Sequence, residues 1–179
     1  MPLLVETSSS FNHWVGSYGP LVVLYWVSEI DPRVCRKLPD IARKIAERQR
    51  DRRASVLSIA MPGVMSPSVE ARRALAELVR DTSDIVSRSA VLREGQGFVS
   101  SVVASVIAGV QMLARPSGGH KSFTSLVDAM TWVTAELSDF RNGQICAEDA
   151  IPVIDQQRRA ISTRITASKA PLPRVSMRA

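Results

Sequence analysis

GFVSSVVASVIAGVQMLAR, residues 97–115, decides what kind of chain this is. On a helical wheel Val99, Val103, Val106, Val110 and Leu113 share one narrow stripe, and Gly97, Ser101, Ser105, Ala108 and Gln111 fall opposite. The uncharged run 95–114 is long enough to cross a ~30 Å hydrocarbon core at ~1.5 Å per residue. Serines and a glutamine gathered away from the valines suit a helix laid on a sheet better than one ringed by lipid. The stretch reads as a central helix with one apolar face, bracketed by Gly95 and Gly97 before it and Pro116 after it.

Working outward, residues 85–92 read as the strand that enters this helix, and residues 121–123 as a short strand that leaves it. Ser125 with Asp128 three residues on is a capping box for a helix through Leu126, Ala129, Met130, Val133 and Leu137. Toward the N-terminus, Ser66-Pro67 and Asp31-Pro32 each pair a capping side chain with a proline, which places helices after residues 66 and 31. Pro39 predicts a kink or a break in the earlier one. Residues 54–61 form the strand between them. Residues 21–27, LVVLYWV, are apolar without alternation, as expected of a strand covered on both faces. With residues 11–16 and the Ser17-Tyr18-Gly19-Pro20 turn they predict a hairpin.

Repeated strand–helix units of this length require parallel strands with right-handed crossovers. The fold class is therefore α/β: a mixed, mostly parallel sheet of about five strands, with an N-terminal hairpin and four helices. The expected organisation is a loose leader at 1–10, the domain at 11–138, a linker at 139–147, a basic amphipathic helix at 148–167 and a flexible tail at 168–179.

This order of elements resembles the STAS superfamily, and within it the SpoIIAA-like branch of short bacterial proteins. The resemblance is carried by Gly95-Gln96-Gly97-Phe98, like the turn that opens the third helix in that branch. It is carried also by Phe123-Thr124-Ser125 running into a last helix with Trp132. It implies a non-catalytic protein-interaction or regulatory module without a cofactor. In anti-sigma-factor antagonists the switch serine lies in an Asp-Ser-Ser-Gly turn. The matching turn here, Met65-Ser66-Pro67-Ser68-Val69, has neither the aspartate nor the glycine, and proline occupies the switch position. The resemblance thus implies a divergent member without the phosphoserine motif, in which Ser68 is the only nearby hydroxyl carried forward and Ser66 acts as the helix cap.

The chain has 179 residues, 45% of them hydrophobic, enough for one folded domain. Its formal charge of +6 sits in two places: residues 33–53, with nine Lys and Arg against three acids, and residues 150–179, with six against one. Cys35 and Cys146 have no ligand-like spacing and read as reduced thiols, while the start MPLLVETSSS has no basic n-region, so a cytoplasmic location is expected. His13 and His120 lie in different segments without carboxylates at ligand spacing, which argues against zinc, and His120 is expected at the surface. Cys35 stands beside Arg33, Arg36 and Lys37, where its thiol is either activated or simply buried.

Three function classes stand at this stage. The first is a module that binds a protein partner or itself; its candidate surface residues are Trp14 and Tyr18 near the hairpin and Arg158, Arg159 and Arg164 on the last helix. The second is a small-ligand or nucleotide-binding domain using Ser66, Ser68, Gly95 and Gly97, whose two turns each precede a helix. The third, least favoured, is attachment to nucleic acid or an anionic surface through the basic patches, which contain no interleaved aromatic residues at 158–178.

Overall fold

The computed structural model describes residues 4–10, 12–93 and 119–169, with side chains described to Arg164. The central-helix stretch, Gly95 and Gly97 lie outside the described residues. Among the described residues no helix is long and apolar enough to cross a membrane.

The architecture is α/β. Six strands, β1 (Val5–Ser9), β2 (His13–Tyr18), β3 (Leu21–Trp26), β4 (Ala54–Ala60), β5 (Val86–Arg93) and β6 (Gly119–Phe123), lie side by side in chain order. The first three are antiparallel neighbours, and β3 to β6 are parallel. The sixth strand beyond the expected five is β1, which falls within the residues expected as a loose leader. Gly19 (φ 55°) and Pro20 make the two-residue turn between β2 and β3, the glycine supplying the positive φ that such turns require at their first central position. Every residue of β3 is buried, so both faces of the sheet are covered there, as its uninterrupted apolar run demands.

Five helices are described: α1 (Pro32–Glu47), α2 (Val69–Asp81), α3 (Leu126–Thr134), the short α4 (Ser138–Arg141) and α5 (Ala147–Lys169). Asp31 caps α1, its carboxylate accepting from Arg33 N–H at 2.8 Å, with Pro32 in the first turn. The helix runs on through Pro39 as one element; this ring is buried, and packing outweighs the one backbone bond it removes. Ser125 caps α3, its hydroxyl accepting from Asp128 N–H at 3.3 Å.

The strand register sorts the helices. Tyr25 lies beside Ile59, and Ile59 beside Leu92, so these three share a face with Ala90 and Arg88. That face is covered by α3 and α5: the Tyr25 hydroxyl donates to the Ile154 carbonyl at 2.5 Å, and Arg88 donates to the Trp132 carbonyl at 2.8 Å. The opposite face carries Val22, Leu24 and Trp26, and there α1 and α2 pack side by side, where right-handed crossovers between adjacent parallel strands put them. Residues expected as an appended helix thus join the core: Ala150, Ile154 and Ile161 of α5 are buried in one cluster with Tyr25, Met130 and Val133.

Candidate functional site

Parallel strands bring the segments that follow them to one end of the sheet. The chain leaving β3 and the chain leaving β4 meet there in a cleft of about 440 Å³ lined by Glu29, Ile30, Asp31, Arg33, Met65, Ser66, Ser68 and Glu70. β5 ends at the same edge, with Arg93 beside Ala60. Of the residues proposed for ligand binding from sequence, Ser66 and Ser68 therefore do lie together.

The helix start differs from the expectation. The α2 cap is Ser68, not Ser66: the Ser68 hydroxyl accepts from Ala71 N–H at 3.1 Å, and the helix begins at Val69. Ser-Pro signals a helix start, but Pro67 is buried against the core instead of opening the helix, which moves the cap two residues on. Ser68→Ala should cost about 1 kcal/mol of stability, and Ser66→Ala almost nothing; urea unfolding of the two variants checks this, and the reverse order would put the cap back at Ser66.

The charges in the cleft are largely matched by partners. Arg33 binds Asp31 at 3.0 Å, and the hydrogen bond from the Arg33 side chain is the main cause holding the Asp31 carboxyl below its usual range. Arg36 of α1 reaches across to Glu70 of α2 at 2.8 Å. Two apolar side chains stand out beside these ion pairs. Met65 is 59% exposed and Val69 is 74% exposed. Met65 lines the cleft and Val69 opens the helix beside it, so both offer apolar surface to a binding partner. The sequence held a signal for Val69, which lies off the buried stripe of Ala71, Ala74, Leu75 and Leu78; Met65, in a loop without periodicity, had none.

The other candidates from sequence are placed elsewhere. Trp14 is buried, its indole N–H donating to Glu6 at 2.6 Å and its ring meeting Tyr25 edge-on at 5.5 Å. Tyr18 is fully buried. Neither ring meets a partner at the surface. Arg158 and Arg159 both pair with Asp155 on the same helix, and Arg164 is exposed. The basic helix α1 is likewise laced to acids, Arg43 adding Asp84 to the pairs of Arg33 and Arg36.

Burial pushes the Cys35 thiol up to about 12, so the adjacent arginines do not activate it. Cys146 is exposed, and neither cysteine is in a disulfide. His120, expected at the surface, is half-buried on β6, and burial lowers its pKa. His13, on β2, has its Nδ1 at 2.7 Å from the Ser10 hydroxyl and its Nε2 at 3.4 Å from that of Ser8. Burial is the main cause lowering its pKa, with Lys37 adding to the effect and Asp31 opposing it. An unfolded chain takes up this proton near pH 6.5 while the folded chain resists it, so stability falls as pH drops below about 6.5. The melting temperature of the wild type should therefore decline from pH 7 to pH 5.5, and His13→Asn should flatten that slope; an unchanged slope would show that His13 takes up its proton equally in the folded and unfolded chain.

A second cleft of about 510 Å³ opens at the other end of the sheet, beside Asp51, Arg53, Arg88 and Trp132. Arg88 stacks 4.9 Å from the Trp132 ring centroid and binds Glu136 at 2.6 Å, and Asp51 accepts from the Arg53 and Ser138 N–H groups. These groups satisfy one another.

Comparison of the chain with protein-family models, curated proteins and solved structures returned no match.

Proposed function

We propose that this chain is a non-catalytic, regulatory protein-interaction module of SpoIIAA/STAS-like type, acting in the cytoplasm, whose docking face is the start of α2 together with the cleft beside it. One observation carries the reading: Met65, which lines a cleft formed by two parallel β–α connections, and Val69, the first residue of the helix beside it, both stand exposed. The succession of antiparallel hairpin and parallel strands is compatible with the resemblance drawn from sequence, and the turn lacks the serine pattern of the phosphorylated switch. Regulation on this reading is by association.

The test compares proteins co-purifying with the tagged full-length chain from its native host, wild type against a Met65→Ser/Val69→Asp double variant. Both sites are exposed, so the variant should keep the wild-type stability within about 1 kcal/mol. A specific protein should be lost from it. An unchanged set of co-purifying proteins would move the docking face away from α2.

A further inference from the structure

Resting on the docking face just proposed, we infer that its partner presents an acidic amphipathic segment: an apolar side chain that seats on Met65 and Val69, with carboxylates about one helical turn away. The inference comes from which charges around the apolar pair are already used. Arg33 is taken by Asp31 and Arg36 by Glu70, each at hydrogen-bond distance. Glu29 accepts from the Asn12 amide at 3.3 Å. Arg72 and Arg73 differ from all of these. Their side chains are exposed and, among the described residues, make no hydrogen bond or ion pair. They also stand three and four positions after Val69, the two spacings that put side chains next to each other on a helix surface.

The apolar pair is thus bordered along α2 by two cations whose side chains have no partner among the described residues. A binding segment that covered Met65 and Val69 while leaving these guanidinium groups unmatched would remove them from water without compensation, whereas aspartate or glutamate at the matching spacing would pair them. Guanidinium groups favour carboxylates in a two-point geometry, which also fixes the register of the bound segment. The anionic groups would come from a protein and not from a nucleic-acid backbone, because the exposed Met65 and Val69 beside the arginines offer a seat to an apolar side chain and nothing to a line of phosphates.

The experiment selects a phage-displayed library of random linear peptides against the full-length chain, then measures one enriched peptide by fluorescence anisotropy. The peptide is titrated with wild type, Val69→Asp and Arg72→Glu/Arg73→Glu. Acidic residues near the α2 N-terminus suit the helix dipole, so the double reversal should remain folded. Enriched peptides should carry an aromatic or branched apolar residue with Asp or Glu three or four positions away. The arginine reversal should weaken binding about tenfold at low salt, with the difference shrinking at high salt. It should also bind better than wild type to a version of the peptide in which the acids are changed to lysine. Peptides that need Val69 but have no acidic preference would overturn the partner chemistry while leaving the docking face intact. Selection that yields no peptide dependent on Val69 would overturn the docking face itself. Duplex or single-stranded DNA oligonucleotides that bind as tightly as the peptide, and lose that binding in the arginine reversal, would reassign these arginines to nucleic acid.

Discussion

A chain that stops after Gly143 should lose its cooperative unfolding transition. Truncation there removes Ile145, Ala150, Ile154 and Ile161, all buried, together with the carbonyl that accepts the Tyr25 hydroxyl. Each buried isoleucine reduced to nothing costs on the order of 2–5 kcal/mol, and the three together rival the roughly 5–15 kcal/mol that holds a typical domain. The face of Tyr25, Met130 and Val133 would also be left open to water. The expected product keeps helical circular dichroism, loses near-ultraviolet tyrosine and tryptophan signals and binds a hydrophobic dye. A sharp melt close to that of the whole chain would show that residues 147–169 are an appendage after all.

Gly16→Ala should destabilise the protein by roughly 1–3 kcal/mol, well above the effect of a typical glycine replacement in a strand. A Cβ at this position would lie 2.1 Å from the Trp14 ring and 2.6 Å from the Val5 carbonyl oxygen. The ring is wedged against Tyr25 and tied to Glu6, and the carbonyl belongs to β1, so relief requires moving either the core or the edge strand. Chemical denaturation measures the loss, and the Trp14 environment should change in the folded state of the variant. Stability equal to wild type would mean that Trp14 can leave Gly16 without cost.

The same residues show why parts of this structure were legible from sequence and parts were not. β3 announced itself through an unbroken apolar run that only a doubly covered strand needs, and α1 through Asp31-Pro32. The α2 start misled because Ser66-Pro67 and Ser68 both satisfy the capping rule, and only the burial of Pro67 decides between them. β1 escaped because its Thr and Ser residues are exposed at a sheet edge and have no apolar alternation to show. The helix at 148–167 was visible as amphipathic, but its attachment to the sheet depends on Tyr25, more than a hundred residues away. For the candidate site, Asp31-Pro32 and Ser66-Pro67 were recognisable as helix starts, but the sequence pointed to the second together with the Gly95 and Gly97 turn, which lies outside the described residues, and not to the loop before Asp31. The meeting of the two loops in one cleft is a product of parallel pairing, and the pairing of Arg36 with Glu70 depends on how α1 and α2 lie against each other.

Docking at the start of α2 is tested most directly by site-specific photo-crosslinking in the native host. A photoreactive residue is placed at position 69 in one version of the full-length chain and at the exposed position 159 on α5 in another. Irradiation of the first should yield one discrete protein adduct, absent from the second and lost when Met65 is also changed to Asp. An adduct formed from position 159 and none from position 69 would contradict the docking face and place partner binding on α5.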